Sequence, residues 1–212
     1  MSVGDAPLLI ALVGPSGSGK STLAARVVAE HADFHLSVSY TTRAPRPGER
    51  DGREYHFVTR EVFDQRVRDG LFLEWADVHG NRYGTPREPV AVVRVSRGSV
   101  VFDVDYQGTR QIRASLPELV AVFVLPPSMA ELERRLRARA TDRDEVIARR
   151  LDKARAEIEA YPVCDYVLVN DVLETSYDQL RCIIVAERAR RSRCALHVEA
   201  LLAAGRSAPQ DR

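Results

Sequence analysis

The architecture follows from one short stretch of sequence, Gly14-Pro15-Ser16-Gly17-Ser18-Gly19-Lys20-Ser21. It matches the phosphate-binding loop (P-loop) pattern G-x-x-x-x-G-K-[ST] at every fixed position. In such a loop the glycines let successive backbone N–H groups surround phosphates, while the lysine supplies a positive charge for the β- and γ-phosphates. The Ser21 hydroxyl is the expected magnesium ligand. The stretch therefore predicts a site for a nucleoside triphosphate with Mg²⁺.

The neighbouring residues supply the context that this motif requires. The apolar run Leu8–Val13 is short and uninterrupted, which is typical of a strand buried on both faces of a parallel sheet. Helical spacing follows, so a helix is expected from about Gly19, with its dipole favouring phosphate. Further along, Thr85-Pro86-Arg87-Glu88 has a capping-box pattern and predicts a helix to about Arg97. The alternation of strands and helices predicts an α/β fold with a parallel sheet flanked by helices.

Composition limits the class of protein. The 212 residues are 45% hydrophobic and 29% charged, which excludes a wholly disordered chain. Thirty-one Lys and Arg against thirty Asp and Glu leave a net charge of +1, which does not favour nucleic acid or membrane as partners. The three cysteines lack zinc-site spacing, and no signal peptide or membrane span is recognisable. We expect a soluble cytoplasmic protein, either a monomer or a homodimer.

Residues 37–85 differ in texture from the rest of the chain. They include Thr41-Thr42-Arg43-Ala44-Pro45-Arg46-Pro47-Gly48, in which two prolines and a glycine exclude a long regular element. Short strand-like pieces follow. We interpret residues 37–85 as a small lobe inserted into a core made of residues 6–36 and 86–190.

The second half of the chain carries two arginine-rich segments. Residues 134–150 hold many arginines around the polar break Ala140–Arg143, as expected for a helical lid that moves over bound phosphates. The last helical pattern covers Glu174–Arg191, and residues 191–212 are predicted to form a tail. The basic cluster at residues 188–193 is interpreted as a solvated helix end beside the C-terminal dipole.

An ordered set of motifs is similar to those of the guanylate kinase family. It consists of Ser37-Val38-Ser39-Tyr40-Thr41-Thr42-Arg43, Arg46-Pro47-Gly48-Glu49, Tyr55-His56-Phe57, Phe72-Leu73-Glu74-Trp75-Ala76, Tyr83-Gly84-Thr85-Pro86, Asp103-Val104-Asp105-Tyr106-Gln107-Gly108 and Val169-Asn170-Asp171. The resemblance covers residues 8 to 185, approximately. It implies one domain over residues 1–212, with a three-layer P-loop core, a GMP-binding lobe and a helical lid. The implied reaction is Mg²⁺-dependent transfer of the γ-phosphoryl group of ATP to GMP, giving ADP and GDP.

The same resemblance implies roles for individual residues. ATP would be bound by Gly14, Pro15, Ser16, Gly17, Ser18, Gly19, Lys20, Ser21, Thr22 and Asn170. GMP would be bound by Ser39, Arg43, Arg46, Tyr55, Glu74, Tyr83, Thr85 and Asp103. The implied catalytic residues are Lys20, Arg43, Arg135, Arg139 and Arg150. The implied metal-binding residues are Ser21 and, through water, Asp105.

The residue types also suit this chemistry on their own terms. A monophosphate carries nearly two negative charges, which suits the guanidinium groups of Arg43 and Arg46. Guanine presents N1–H and N2–H₂ donors, which need a carboxylate such as that of Glu74. Adenine would leave Glu74 facing an acceptor, so a strong preference for GMP over AMP is expected.

One departure and two alternatives remain at this point. The lid reads Ala138-Arg139-Ala140-Thr141 where the family has Gly-Arg-Gly-Thr, so altered closing rates are expected before altered chemistry. A ribose 1,5-bisphosphate kinase of the same fold would share the P-loop but would not need the guanine-reading residues. A non-catalytic guanylate kinase-like binding module would typically lack the lysine that is present here as Lys20.

Overall fold

The computed structural model describes residues 6–78, 80–138 and 144–206. In chain order its elements are β1 (Leu9–Val13), α1 (Lys20–Glu30), β2 (Phe34–Leu36), β3 (Tyr40–Thr41), β4 (His56–Phe57), α2 (Arg60–Arg68), β5 (Phe72–Val78), β6 (Asn81–Pro86), α3 (Arg87–Val95), β7 (Ser99–Asp103), α4 (Tyr106–Ser115), β8 (Val120–Leu125), α5 (Met129–Ala138), α6 (Asp144–Ile158), a 3-10 turn (Tyr161–Val163), β9 (Tyr166–Val169), α7 (Leu173–Arg188) and α8 (Arg191–Arg206).

Strand β1 lies at the centre of a five-stranded parallel sheet with the order β2-β7-β1-β8-β9. Because successive side chains of a strand point to opposite faces, β1 contributes to two apolar layers. On one face Ile10 packs with Leu23 of α1 and Leu180 of α7. On the other face Ala11 packs in a cluster that includes Val90 of α3. The predicted α/β fold with helices on both sides of a parallel sheet is therefore confirmed.

A second sheet, in the order β4-β3-β6-β5, is built from residues 40–86. Strand β6 pairs antiparallel with both β3 and β5, whereas β3 and β4 run parallel. Helix α2 packs on this sheet through Phe63, whose ring stacks on Phe72 with the centroids 4.7 Å apart. The sheet falls within the stretch interpreted as an inserted lobe, while the boundaries given for core, lobe and lid stay predictions.

The capping box predicted at Thr85 is wrong. Pro86 is the N-cap of α3, and no side chain caps this helix. Thr85 lies in β6 instead, and its hydroxyl donates to Glu74 Oε1 at 2.6 Å. A capping hydroxyl must accept from the third backbone N–H of the helix, and here the buried carboxylate holds the hydroxyl on the sheet. The helix ends at Val95 rather than at about Arg97.

The C-terminal prediction also needs correction. Helix α7 ends at Arg188, and a further helix, α8, begins at Arg191 where a tail was expected. The basic cluster is not uniformly solvated: the side chains of Arg188 and Arg193 are only 12% and 14% exposed. Arg193 donates to the backbone oxygens of Pro7 and Glu118, so it joins the start of α8 to the core. These contacts are long-range, and local composition does not reveal them.

Two properties bear on the expected class of protein. None of the helices in the described part of the chain has the length and apolar character that crossing a bilayer requires. The cysteines Cys164, Cys182 and Cys194 are all free thiols.

Candidate active site

The P-loop joins β1 to α1 in the conformation that its glycines allow. Gly14 has φ 133°, and a Cβ there would lie 2.4 Å from the carbonyl oxygen of Val124 on the neighbouring strand. Gly19 has φ 100° and is the N-cap of α1. The Lys20 ammonium donates to the carbonyl oxygens of Gly14 at 2.7 Å and Pro15 at 3.1 Å. These bonds fold the lysine back over the loop, where a phosphate-binding cation has to lie.

Asn170, predicted to lie near the donor base, contacts the P-loop itself. Its side chain is buried, and its Nδ2 donates to the Ser18 carbonyl oxygen at 2.7 Å. The same nitrogen would be 2.1 Å from a Cβ at Gly19, so this glycine is required for the approach. The Asn170 carbonyl oxygen in turn accepts from Arg135 at 2.9 Å. One residue thus connects the loop to an arginine of α5.

Two carboxylates lie at the end of β7 and just after it, and the structure gives them different partners. Asp103 Oδ2 accepts from the Ser21 hydroxyl at 2.5 Å, and Asp103 Oδ1 lies 3.9 Å from the Lys20 ammonium. Asp105 is the N-cap of α4 and accepts from the Gly108 backbone N–H at 2.8 Å. The metal role predicted for Asp105 stays a prediction, and the contact between Asp103 and Ser21 is one that sequence reasoning missed. The order of the strands could have indicated it, because β7 is adjacent to β1.

A second group of side chains surrounds Arg43, which follows β3 of the smaller sheet. Glu49 Oε1 accepts from Arg43 Nη2 at 2.9 Å, and Glu49 Oε2 accepts from the Arg46 backbone N–H at 2.7 Å. Burial opposes the charged form of Arg43, yet its hydrogen bond to Glu49 leaves the pKa raised. Glu49 was not singled out from the sequence, although it lies three residues after Arg46 in the same motif.

Two tyrosines adjoin this arginine. The Tyr55 and Tyr83 rings meet edge to face with centroids 5.7 Å apart, and Arg43 Cζ lies 5.4 Å from the centre of the Tyr55 ring. Burial, with a smaller contribution from the Asp103 charge, raises the pKa of Tyr55 to about 12. The Tyr55 hydroxyl therefore remains a neutral donor at physiological pH, which suits the contact predicted with an acceptor phosphate.

A buried carboxylate closes the same sheet on the side of α4. Glu74 of β5 is 6% exposed, and its Oε1 accepts from the Thr85 hydroxyl at 2.6 Å. The Ser39 hydroxyl oxygen lies 3.5 Å from Thr85 Oγ1. Burial raises the pKa of Glu74 to about 7, against the opposing hydrogen bond from Thr85. An unpaired buried carboxylate is costly, so a ligand with N–H donors is the natural partner for it.

The arginine-rich segment has two of its predicted residues against the P-loop. Arg150 of α6 donates to the Ser16 hydroxyl at 2.5 Å, and Arg135 reaches Asn170. Arg139, the third predicted residue, lies outside the described residues. The neighbouring Arg134 is 71% exposed and pairs with Glu131, as expected for a solvated helix face.

The remaining predicted residues lie as follows. Ser16 and Thr22 are exposed, at the P-loop and in the first turn of α1, where a bound phosphate can reach them. The Arg46 side chain is exposed. The predicted donor-site residues thus follow the ends of β1 and β9. The predicted acceptor residues lie in or beside the second sheet, except Asp103, which is the last residue of β7 in the parallel sheet.

A P-loop on a parallel sheet, an adjacent carboxylate and a separate pocket with arginines and a buried glutamate define a P-loop kinase. The family model for guanylate kinase matches residues 7–187. The chain is 48% identical over 188 residues to a guanylate kinase of Caulobacter vibrioides, covering 88% of each chain. It is 51% identical over 187 residues to that of Sphingopyxis alaskensis, covering 88% of this chain and 85% of the relative. The crystal structure of guanylate kinase from Anaplasma phagocytophilum superimposes with a TM-score of 0.75 at 33% identity, covering 89% of each chain.

The chain belongs to the guanylate kinase family. The predicted family and the predicted class of enzyme, a nucleoside monophosphate kinase, are confirmed. The two alternatives, a sugar-phosphate kinase and a binding module without activity, are not favoured by these relatives.

Proposed function

We propose that the protein transfers the γ-phosphoryl group of ATP to GMP and releases ADP and GDP. The observation that carries the proposal is the buried Glu74 carboxylate, which accepts from Thr85 within the second sheet. Tyr83 lies in β6 of that sheet, Arg43 follows β3 and Tyr55 directly precedes β4. Glu74 would accept from guanine N1–H and N2–H₂, with Ser39 near O6. Thr85 would support Glu74, and Asp103 would stand between this pocket and the P-loop.

The acceptor phosphate would bind at Arg43, Arg46 and the two tyrosines. A guanidinium carries five N–H donors, so the bonds of Arg43 to Glu49 and to the Ala44 carbonyl leave others for the phosphate. Glu49 would hold the guanidinium plane in place before GMP arrives. Because the guanidinium would already be in place, binding of GMP would also orient its phosphate.

The chemistry needs no general base, because the attacking phosphate oxygen of GMP is already ionised. Catalysis would rest on alignment and on neutralising the charge that spreads over the transferred group. Lys20 would serve the β- and γ-phosphates, Arg43 the acceptor side, and Arg135, Arg139 and Arg150 the transferred group. Closure of the predicted lid, which consists of residues 134–150, would exclude water, which otherwise competes with GMP as the phosphoryl acceptor.

The donor set near the P-loop suits magnesium. Ser21 and Asp103 offer hard oxygen atoms, and among the described residues there is no cluster of three or more His, Cys, Asp or Glu suited to a metal. Mg²⁺ is characteristically held by few protein ligands together with substrate phosphates and water. Ser21 and Asp103 would hold it, with Asp105 as the alternative carboxylate. Bound there, Mg²⁺ supplies charge neutralisation on the β- and γ-phosphates.

The same proposal includes the setting. The balanced charge, the free cysteines and the small-molecule substrates support a cytoplasmic enzyme, monomeric or homodimeric, that uses neither nucleic acid nor membrane. In this proposal the core would bind the phosphoryl donor, the lobe would bind the acceptor, and the lid would close over both.

A coupled ADP-release assay tests the function. Mg-ATP is supplied with GMP, AMP, CMP, UMP or ribose 1,5-bisphosphate in separate reactions. Turnover with GMP and little with the others is the expected result. Turnover only with the sugar phosphate would retain the fold and overturn the assignment of Glu74. Tight GMP binding without turnover would indicate a binding module.

A further inference from the structure

Gly108 lies in the first turn of α4, directly against the Glu74 carboxylate. A Cβ built on Gly108 would lie 2.9 Å from Glu74 Oε2 and 3.1 Å from its Cδ. Real Cβ atoms essentially never approach an oxygen so closely, so any larger residue requires the carboxylate to move. The missing side chain at Gly108 is therefore part of the space that Glu74 occupies.

The backbone offers no other reason for a glycine at this position. Gly108 is not among the glycines with positive φ, and it lies within a regular helix. Alanine is the better helix former, so glycine weakens α4 here relative to alanine. The residue is buried, and the atoms nearest to the missing Cβ all belong to Glu74.

The distance between α4 and β5 is fixed one turn after this contact, by the side chain of Gln111. Gln111, one turn after Gly108, donates to the Trp75 carbonyl oxygen at 3.1 Å and accepts from the Trp75 N–H at 3.3 Å. The helix consequently cannot withdraw from β5 without breaking these bonds, and an added Cβ would displace the Glu74 carboxylate instead.

We propose that Gly108 is a specificity-determining positioning residue: the absence of a Cβ holds open the place in which Glu74, supported by Thr85 on its other oxygen, meets the base of the acceptor nucleotide. The inference rests on the proposed function of Glu74 as the reader of guanine. Gly108 contacts no substrate atom itself and acts through the carboxylate.

Gly108→Ala adds the smallest possible Cβ. Displacement of a recognition group by about 1 Å is enough to cost up to about 100-fold in rate, so we expect kcat/KM for GMP to fall by about 10- to 100-fold. The loss should appear in KM and in the equilibrium Kd for GMP, with KM for ATP unchanged. The melting temperature should stay level or rise, because alanine favours the helix.

A matched control and a double variant isolate the cause. Gln107→Ala changes the preceding, exposed position of α4 to the same residue and should leave GMP binding unchanged. In a Glu74→Ala background the added methyl group meets no carboxylate. Gly108→Ala should then alter the Kd for GMP by less than about twofold, the usual result for mutations that no longer interact. Glu74→Asp, which shortens the side chain, should recover part of the binding lost in Gly108→Ala.

The outcomes separate this inference from the function on which it rests. If Glu74→Ala leaves GMP binding intact, the proposed reading of guanine fails. If Glu74→Ala weakens binding but Gly108→Ala does not, only the present inference is overturned. Equal losses from Gly108→Ala with and without Glu74, or failure of Gly108→Ala to fold, would assign the glycine to packing of α4 and would also overturn it.

Discussion

The Ser21 hydroxyl donates a 2.5 Å hydrogen bond to Asp103 Oδ2, which joins the P-loop to the carboxyl end of β7. The contact follows from the order of the strands, since β1 and β7 are parallel neighbours with Leu12 opposite Asp103. Parallel neighbours end at the same edge of the sheet, so the start of α1, which the P-loop returns to that edge, and the last residue of β7 meet there. Asp103 consequently contacts Ser21 and lies 3.9 Å from the Lys20 ammonium of the P-loop, and its charge also contributes to the raised pKa of Tyr55.

This relationship predicts different results for substitutions of Asp103, at the end of β7, and Asp105, at the start of α4. Asp103→Asn should lower kcat by about 10- to 100-fold and raise the Mg²⁺ concentration needed for half-maximal rate, as loss of a metal-orienting carboxylate commonly does. Asp105→Asn preserves an N-cap, because asparagine caps helices as well as aspartate does. Rates measured across a magnesium titration decide between them. A raised Mg²⁺ requirement in Asp105→Asn alone would assign the metal to Asp105.

Glu74→Gln should change the choice of acceptor. Glutamine keeps an oxygen for Thr85 but turns an amide donor toward the donors of guanine, so kcat/KM for GMP should fall by about 10²- to 10⁴-fold. The rate with AMP should not fall in parallel. Steady-state assays with both nucleotides measure the ratio. Glu61→Gln, an exposed change on α2, is the control, and equal losses for GMP and AMP would contradict the prediction.

The raised pKa of Glu74 predicts a pH dependence that this variant should abolish. Burial, with a smaller contribution from the Asp105 charge and against the Thr85 hydroxyl, moves the pKa from 4.5 to about 7. The ionised form accepts from guanine, so kcat/KM for GMP should rise with pH through about 7. A pH profile without this limb in the wild-type enzyme, or an unchanged limb in Glu74→Gln, would contradict the prediction.

The same ionisation should affect stability with the opposite sign. Because the folded pKa lies above the unfolded value, the protonated carboxyl favours folding below 4.5, and this contribution is lost as pH rises through about 7. Relative to Glu74→Gln, the free energy of unfolding should decrease by roughly 2–3 kcal/mol between about pH 4.5 and about pH 8. Urea unfolding at several pH values measures it, and parallel curves for the two proteins would count against the prediction.

Two neighbouring arginines of α5 should differ sharply. Both pair with Glu131, whose pKa the Arg134 and Arg135 guanidinium groups lower to about 2, but only Arg135 also reaches Asn170 beside the P-loop. Arg135→Ala should lower kcat by about 10²- to 10³-fold, the usual cost of losing a transition-state donor. Arg134→Ala should change it by less than about threefold, as for an exposed ion pair. Comparable losses would place both on a structural helix face.

The C-terminal end of α7 should contribute to stability without affecting catalysis. Arg188 pairs with Asp33 Oδ2 at 2.5 Å, and Ser99 links this carboxylate to the backbone N–H of Leu8. Arg188→Ala should cost about 1–3 kcal/mol, lowering the melting temperature by about 3–10 °C with kcat unchanged. Arg191→Ala, at an exposed position, is the control. Calorimetry showing equal melting temperatures would refute the prediction.

The fold and the P-loop were predictable because their signals are local. The uninterrupted apolar run Leu8–Val13 indicates a buried strand, and the fixed spacing of the glycine-rich stretch after it indicates a P-loop. Each signal lies within one short segment. The Glu74 and Thr85 pair was predicted only as two members of one pocket. The direct hydrogen bond between them depends on the pairing of β5 with β6, and it explains why the Thr85 hydroxyl does not cap α3 as predicted.

The parts that sequence reasoning missed depend on contacts between distant segments. Asp103 and Asp105 are the same residue type and only two positions apart, so the sequence does not distinguish their roles. Their partners differ because Asp103 ends β7, where it meets Ser21, whereas Asp105 caps α4. Glu49 and Arg193 form hydrogen bonds in partly buried surroundings, with Arg43 and with the Pro7 carbonyl oxygen, respectively. Amino-acid composition does not show which charged residues are buried. Helix α8 was missed because the described apolar side chains of Val198, Leu201 and Leu202 remain exposed, so they do not form a buried face of the kind that a helical pattern usually indicates.

The separation of the two sheets has a consequence for how such a chain diversifies. Among the described strands, those of the second sheet, which include Glu74 and Thr85, pair only with one another, while β1, which leads into the P-loop, belongs to the parallel sheet. Drift within residues 40–86 can therefore remodel what is phosphorylated without disturbing how ATP is held. The smaller sheet can therefore change its acceptor specificity as a separate unit, and selection for new acceptors acts first on this part of the chain.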